Sequence, residues 1–239
     1  MFFEGIAPII KYMRKGNFMF ETLKQWIKEH PHCYLLVYWI FYLIYFELLE
    51  HLVTPKYILH SKLDDMIPFN EYFVIPYVMW FPLLVLPLAY FLFHSKKDFQ
   101  DLCFFMFTGM TFCLIVYTIL PNGLQLRVPI THDNLCAKLV AFLQSIDSPT
   151  NVCPSIHVSS TVAIWIVVSK YKDFKHPVLI KGTTGIVSIL IILATMFIKQ
   201  HSIIDVVFGI ILSLVLYVVT YHMNWRKLFD HTILKHAVN

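Results

Sequence analysis

His157, His201 and Asp205 are the side chains in this sequence best suited to chemistry, because each stands at the edge of a long apolar stretch. Ionisable groups at or near membrane depth are costly, so their presence points to function. His201 and Asp205 are four residues apart, which stacks them on one face of a helix. The carboxylate then accepts a hydrogen bond from one imidazole nitrogen and leaves the other free and more basic. The same pair also fits an internal contact that merely satisfies two polar groups between helices. Pro154-Ser155-Ile156-His157 reads as a helix start, with Pro in the first turn and Ser155 as a cap or hydroxyl donor. Free backbone N–H groups and the positive dipole end suit such a terminus to an anion. His157 stands there to donate a proton, or else as an interfacial histidine behind an ordinary cap. Two histidines and a carboxylate at one membrane face make a candidate phosphoryl-transfer site.

The elements that must position these residues are membrane helices. The hydrophobic set makes up 58% of the 239 residues and charged residues 14%, against about 25% charged in soluble domains. Mean hydropathy is +0.65. Apolar blocks near the ~20 residues that span a bilayer fall at 32–53, 72–94, 100–120, 156–172, 177–198 and 202–223. The expectation is an all-α polytopic membrane protein, a bundle of six transmembrane helices over 32–224. A segment over 1–31 precedes it, and a cytoplasmic tail over 225–239 follows. In the first segment, Asn17 caps an amphipathic surface helix with Phe20, Leu23, Trp26 and Ile27 on one face and Lys24 and Lys28 off it.

Charge fixes the expected orientation. Of the 19 Lys and Arg, only Lys56, Lys62, Arg127, Lys138 and Lys199 fall on one side of a six-span arrangement. The positive-inside rule then puts both termini in the cytoplasm and His157, His201 and Arg127 together on the non-cytoplasmic side. The net charge of +4 is a topology signal and gives no reason to expect nucleic acid. No GxGxxG or phosphate-cradling glycine loop occurs among the 7 glycines, so no nucleotide is expected either.

These motifs resemble those of the type-2 phosphatidic acid phosphatase superfamily of integral membrane lipid phosphatases and phosphotransferases. Pro154-Ser155-Ile156-His157 is similar to its second motif, residues 199–205 to its third, and Tyr117…Pro121…Arg127-Val128-Pro129 to its first. The resemblance implies that His201 is the nucleophile that forms a phosphohistidine, that Asp205 holds its ring, and that His157 protonates the leaving alcohol. It implies phosphate binding by Arg127 and Ser155, with a membrane lipid phosphate as substrate and neither metal nor other cofactor. Two departures stand out: Ile156 replaces a glycine, and Ala194-Thr195 replaces Ser-Arg, so that Lys199 is the expected substitute cation. Lys-Gln-His-x-x-x-Asp also resembles the branch that includes inositol phosphorylceramide synthases, which move a phospho-headgroup between lipids. Hydrolysis is the more economical expectation, because water needs no second pocket; non-catalytic binding of an anionic headgroup is the alternative.

Other polar residues carry weaker expectations. Glu47, Glu50 and His51 are expected to snorkel to the interface, with lining the site or guiding a proton as the alternative; Asp64-Asp65 is expected to be a solvated loop or helix cap, with a cation site as the lesser alternative. Residues 133–147 are expected to form an amphipathic helix, with Leu135, Leu139, Phe142, Leu143 and Ile146 on its apolar side, that either shapes a lipid entrance beside the site or merely connects the spans. Of the 5 cysteines, Cys136 and Cys153 share the outer loop, where a bridge between them is the minor expectation.

Overall fold

Each long apolar stretch becomes a helix, because a backbone in lipid must satisfy its own hydrogen bonds. A computed structural model of the chain describes residues 21–238. Asn17 and Phe20 of the expected surface helix lie outside the described residues; 21–29 are helical, with Trp26 and Ile27 partly covered and Lys24 and Lys28 exposed.

The helices used below are α1 (Tyr38–Leu52), α2 (Lys62–Met66), α3 (Val74–Val78), α4 (Trp80–His94), α5 (Lys96–Ile119), α6 (Leu135–Ile146), α7 (Ile156–Lys170), α8 (Pro177–Phe197), α9 (Ile203–His222) and α10 (Lys235–Val238). A 3-10 turn, Pro31–Val37, runs into α1, and another, Glu71–Phe73, runs into α3. Pro82 lies just inside α4, where it has no N–H to continue the ladder from α3, and the stretch breaks at Met79. Five helical stretches are long and apolar enough to cross a membrane: Pro31–Leu52, Glu71–His94, Lys96–Ile119, Pro177–Phe197 and Ile203–His222. The expected fourth span is α7, which at 15 residues falls short of that length.

α7 compensates in position for what it lacks in length. It packs on α5, α8, α9 and α4, and Ser159, Ser160, Thr161 and Ala163 are buried along it. Small side chains let backbones approach closely where lipid supplies no hydrophobic drive between helices. On α5, Gly109 allows this too: a Cβ there would lie 3.2 Å from Leu216 Cδ1 on α9.

A cap of irregular chain covers one end of the bundle. β1 (Tyr57–Leu59) and β2 (Asn122–Leu124) pair in parallel. Asn122 pins the loop before α7: its Oδ1 accepts from Val152 N–H at 3.0 Å and Cys153 N–H at 2.8 Å. The described residues after α9 fold back onto the bundle. α10 packs on the Pro31–Val37 turn, and Gln100 Nε2 donates to the Ala237 carbonyl at 2.8 Å.

Candidate active site

Two helix starts, locked to each other, deliver the histidines. Ser155 caps α7, its Oγ accepting from Val158 N–H at 3.3 Å, while its own N–H donates to the Asp205 carbonyl at 3.1 Å. α9 opens with a capping box: Ser202 Oγ accepts from Ile204 N–H at 3.1 Å, and Asp205 Oδ2 accepts from Ser202 N–H at 2.9 Å. Gly209 lets the helices close, since a Cβ there would sit 3.0 Å from the Ser155 carbonyl oxygen.

The result is a relay of three side chains. His201 Nδ1 lies 3.2 Å from Asp205 Oδ2, and His201 Nε2 lies 3.2 Å from His157 Nδ1. With the fully buried Asp205 as acceptor, Nδ1 of His201 carries the proton and Nε2 presents its lone pair. The His157 ring is held against Trp80 and Tyr77, at centroid distances of 4.3 and 5.0 Å. Trp80 is fixed in turn by its Nε1–H, which donates to Ser160 Oγ at 2.9 Å.

A second carboxylate supports the relay from outside. Asp64 caps α2 together with Ser61, as the sequence allows, yet it is only 2% exposed. Its Oδ2 also accepts from Ser202 Oγ at 2.7 Å, and its Oδ1 from Ile203 N–H at 2.8 Å. Asp64 therefore clamps the start of α9 beside His201.

The three residues expected to bind phosphate are placed differently. Ser155 is a buried cap. Lys199, held at φ 60°, donates its ammonium to the carbonyls of Asp64 (2.8 Å) and Ile67 (2.5 Å). Arg127 donates to the carbonyls of Gln144 (2.9 Å) and Asp147 (2.5 Å), closing the C-terminal end of α6, and to Gln200 Oε1 (3.1 Å). Burial lowers its pKa from the ordinary arginine value.

His157 and His201 line a cavity of about 560 Å³. One end is polar, with Asp147, Ser148, Thr150, Asn151 and Gln200. The other runs between α1 and α4, past Trp39, Leu43 and Phe46 on one and Phe81 and Val85 on the other. Trp39 and Phe46 are about 10 Å apart along the helix axis. Leu143 and Ile146 of α6 also line the cavity, while Leu135, Phe142 and Ile146 all keep much of their surface exposed. Among the described residues no Lys or Arg lines this cavity.

The charged groups around its polar end are set by burial. Asp147 is pushed up to about 6 by desolvation and then by Glu50, against the pull of His201 and Arg127. Cys153 is pushed up to about 12 by burial and by Asp205 beside it. All five cysteines, Cys136 and Cys153 included, are free thiols. Glu50 does not snorkel. Its carboxylate accepts from Ser148 N–H (3.2 Å), the Ser148 hydroxyl, Thr150 Oγ1 (3.2 Å) and Asn151 Nδ2 (3.1 Å). Glu47 and His51 do face outward, paired at 2.9 Å.

Sequence reasoning did not identify Asp147, Asn151, Gln200 or Asp64 as site residues. Gln200 carried the one available signal, its place next to His201. The others come from loops whose meeting with the motifs depends on the fold.

Comparison with known proteins gives one result. No curated protein and no solved structure matches the chain. A family model described as the PAP2 superfamily matches residues 102–229, which include His157, His201 and Asp205. That stretch is more than half of the 239 residues, and the chain belongs to the PAP2 superfamily.

Proposed function

We propose that this protein is a membrane-embedded phosphoryl-transfer enzyme that hydrolyses a phosphate ester or diphosphate on a lipid through a phosphohistidine at His201. The observation that carries the reading is the His157–His201–Asp205 relay, with both spacings 3.2 Å, at the polar end of a cavity whose other end is apolar. His201 Nε2 attacks phosphorus and the bond to the leaving oxygen breaks. His157 gives that oxygen a proton, and Asp205 stabilises the charged imidazole. His157 then takes a proton from water, which attacks phosphorus and releases phosphate from His201. The first-turn N–H groups of α7 and the Gln200 amide supply donors for the developing charge, so the scheme uses no metal. Membership of the superfamily supports phosphatase-type activity, and the apolar wall between α1 and α4 supports a lipid substrate. The charge distribution supports cytoplasmic termini and a site on the other face.

Delivery to a second alcohol in place of water is the other reading. It shares the relay and the first step, and differs in the acceptor that reaches His201.

The test uses purified protein in lipid nanodiscs with a chelator present. Wild type should release phosphate from a panel of lipid phosphates and diphosphates, and His201→Ala should abolish release without lowering the melting temperature. An acid-labile phosphoryl label should appear on wild type and be absent from His201→Ala. Equal inertness of both proteins across the panel would overturn the reading.

A further inference from the structure

The relay dictates where its protons can stand. His201 Nδ1 donates to Asp205, so His201 Nε2 carries the lone pair, and His157 Nδ1 must supply the proton in their 3.2 Å contact. A neutral His157 commits its one proton to His201 and presents a bare Nε2. The acid of the proposed first step is therefore the imidazolium, with a proton on each nitrogen. Trp80, Tyr77 and His201 surround that ring at centroid distances of 4.3, 5.0 and 5.3 Å. A charge in such surroundings is held only with a partner of opposite sign.

Most charged groups around the pair are already engaged. Asp205 Oδ2 accepts from Ser202 N–H as well as meeting His201. Asp64 clamps the start of α9, and Glu50 accepts four hydrogen bonds from residues 148–151. Lys199 is held by two carbonyls, and Arg127 by two carbonyls and Gln200. The thiol of Cys153 and the phenols of Tyr42, Tyr77 and Tyr117 are uncharged near neutral pH.

Asp147 is the exception. It lines the cavity together with His157 and His201. Arg127 binds its backbone carbonyl and so fixes the end of α6, while its carboxylate meets no hydrogen-bond donor among the described residues. Its carboxyl, raised to about 6, is ionised at neutral pH. The carboxylate and a charged His201 ring attract each other, and that coupling is reciprocal: what favours the carboxylate favours the protonated pair.

We infer that Asp147 is a positioning residue for the proton of the relay: its carboxylate keeps His157 loaded as imidazolium at neutral pH, ready to protonate the leaving oxygen. The proton count closes over the cycle. His157 gives one proton to the leaving oxygen and recovers one from water, while Asp147 stays ionised throughout. The inference rests on the phosphoryl-transfer reading for the use of that proton, and goes beyond it in naming the group that holds it there.

The experiment reads the protonation of His157 with and without turnover. Diethyl pyrocarbonate modifies neutral imidazole and spares imidazolium, so its reaction with the full-length protein is followed by mass spectrometry across a pH series. His157 should become reactive about one pH unit lower in Asp147→Asn than in wild type. Asp147→Glu should restore the wild-type course, and the outward-facing His51 should not move in either variant. On the panel lipid that wild type turns over, the alkaline limb of kcat/KM reports the acid of the free enzyme and should move down equally. Turnover of Asp147→Asn should be close to wild type on the acid side and about tenfold lower beyond the limb. An unmoved His157 titration in Asp147→Asn overturns the inference, even where turnover persists. So does an equal loss at every pH, which would mark a merely structural role, or an equal gain, which would mark repulsion of the phosphate. A shifted titration in a protein that turns over no panel lipid would uphold the inference and remove the catalytic reading.

Discussion

Two buried polar clusters stand at opposite ends of α5, and they meet the cost of burial differently. Near the start of the helix, Asp101 is 2% exposed and pairs with Lys97 and Arg226, both at 2.8 Å, while Gln100 donates to the Ala237 carbonyl. Trp225 adds a stacked contact with Phe104 at 4.1 Å. The ionisable groups there close on one another and tie the end of the chain to the bundle. Beyond the other end of α5, Gln200 and Asn151 keep an amide atom each without a partner, and Asp147 faces a cavity. Buried charge is retained in both places, but only the second cluster leaves room for something to bind. Closure of the first cluster fits polar groups that serve the fold, whereas Asp147 is left at the wall of a cavity.

The same substitution should therefore have opposite effects at the two ends. Asp205→Asn should reduce turnover about a thousandfold or more, because an amide no longer holds His201 in the tautomer that presents Nε2. Its melting temperature should stay within a few degrees of wild type, since an amide oxygen still accepts from Ser202 N–H. Asp101→Asn should leave turnover per folded molecule unchanged and cost about 3 kcal/mol, because Arg226 loses its buried partner. Paired measurements of kcat and thermal unfolding decide this. A thousandfold loss at Asp101, or a collapse of stability at Asp205, would erase the contrast.

The meeting of His157, His201 and Asp205 was legible in the sequence, and the surroundings of Asp147, Asn151 and Gln200 were not. His201 and Asp205 are linked by helical spacing, and a Pro-Ser start announces α7 before His157, so local rules place all three. The helical membrane architecture follows from composition in the same way. Lys199 shows where such reasoning stops: proximity to His201 along the chain suggested a phosphate ligand, but its φ of 60° turns the side chain onto the Asp64 and Ile67 carbonyls. Glu50 shows the converse. Its position at a helix end suggested snorkelling, yet the 148–151 loop, about a hundred residues later, wraps it with donors. Contacts of that range depend on how Asn122 and the β1–β2 pair fold the cap, and no local pattern encodes them.

Asp64 tests whether the fold-serving and ligand-serving roles can meet in one residue. It caps α2 and also receives Ser202 Oγ and Ile203 N–H at the start of α9. Asp64→Ala should cost about 2 kcal/mol through the lost caps. Turnover should fall roughly tenfold as His201 loses its fixed position, a milder loss than at Asp205. Asp64→Asn should recover most of the stability, because an amide oxygen in the place of Oδ2 still accepts from Ser61 N–H and Ser202 Oγ. If Asp64→Ala lowers stability alone, Asp64 belongs wholly with the Asp101 type of cluster.

The smallest effect, and the one that bears most directly on the unclosed cluster, concerns the cost of keeping Asp147 at the cavity. Burial and Glu50 raise its carboxyl from the ordinary 3.8 to about 6. A carboxyl whose folded pKa is raised stabilises the fold fully only when protonated, below about 3.8. That contribution is lost as pH rises through about 6. At neutral pH the folded protein therefore carries an unfavourable charge, worth at most about 3 kcal/mol for a shift of this size. Asp147→Asn should remove it and raise the melting temperature by a few degrees near pH 7.5, with the gain shrinking to nothing near pH 4. A gain that is constant across this range would mean that the charge is not its source. A charge kept at such a cost is expected of a group that serves a site at the expense of the fold.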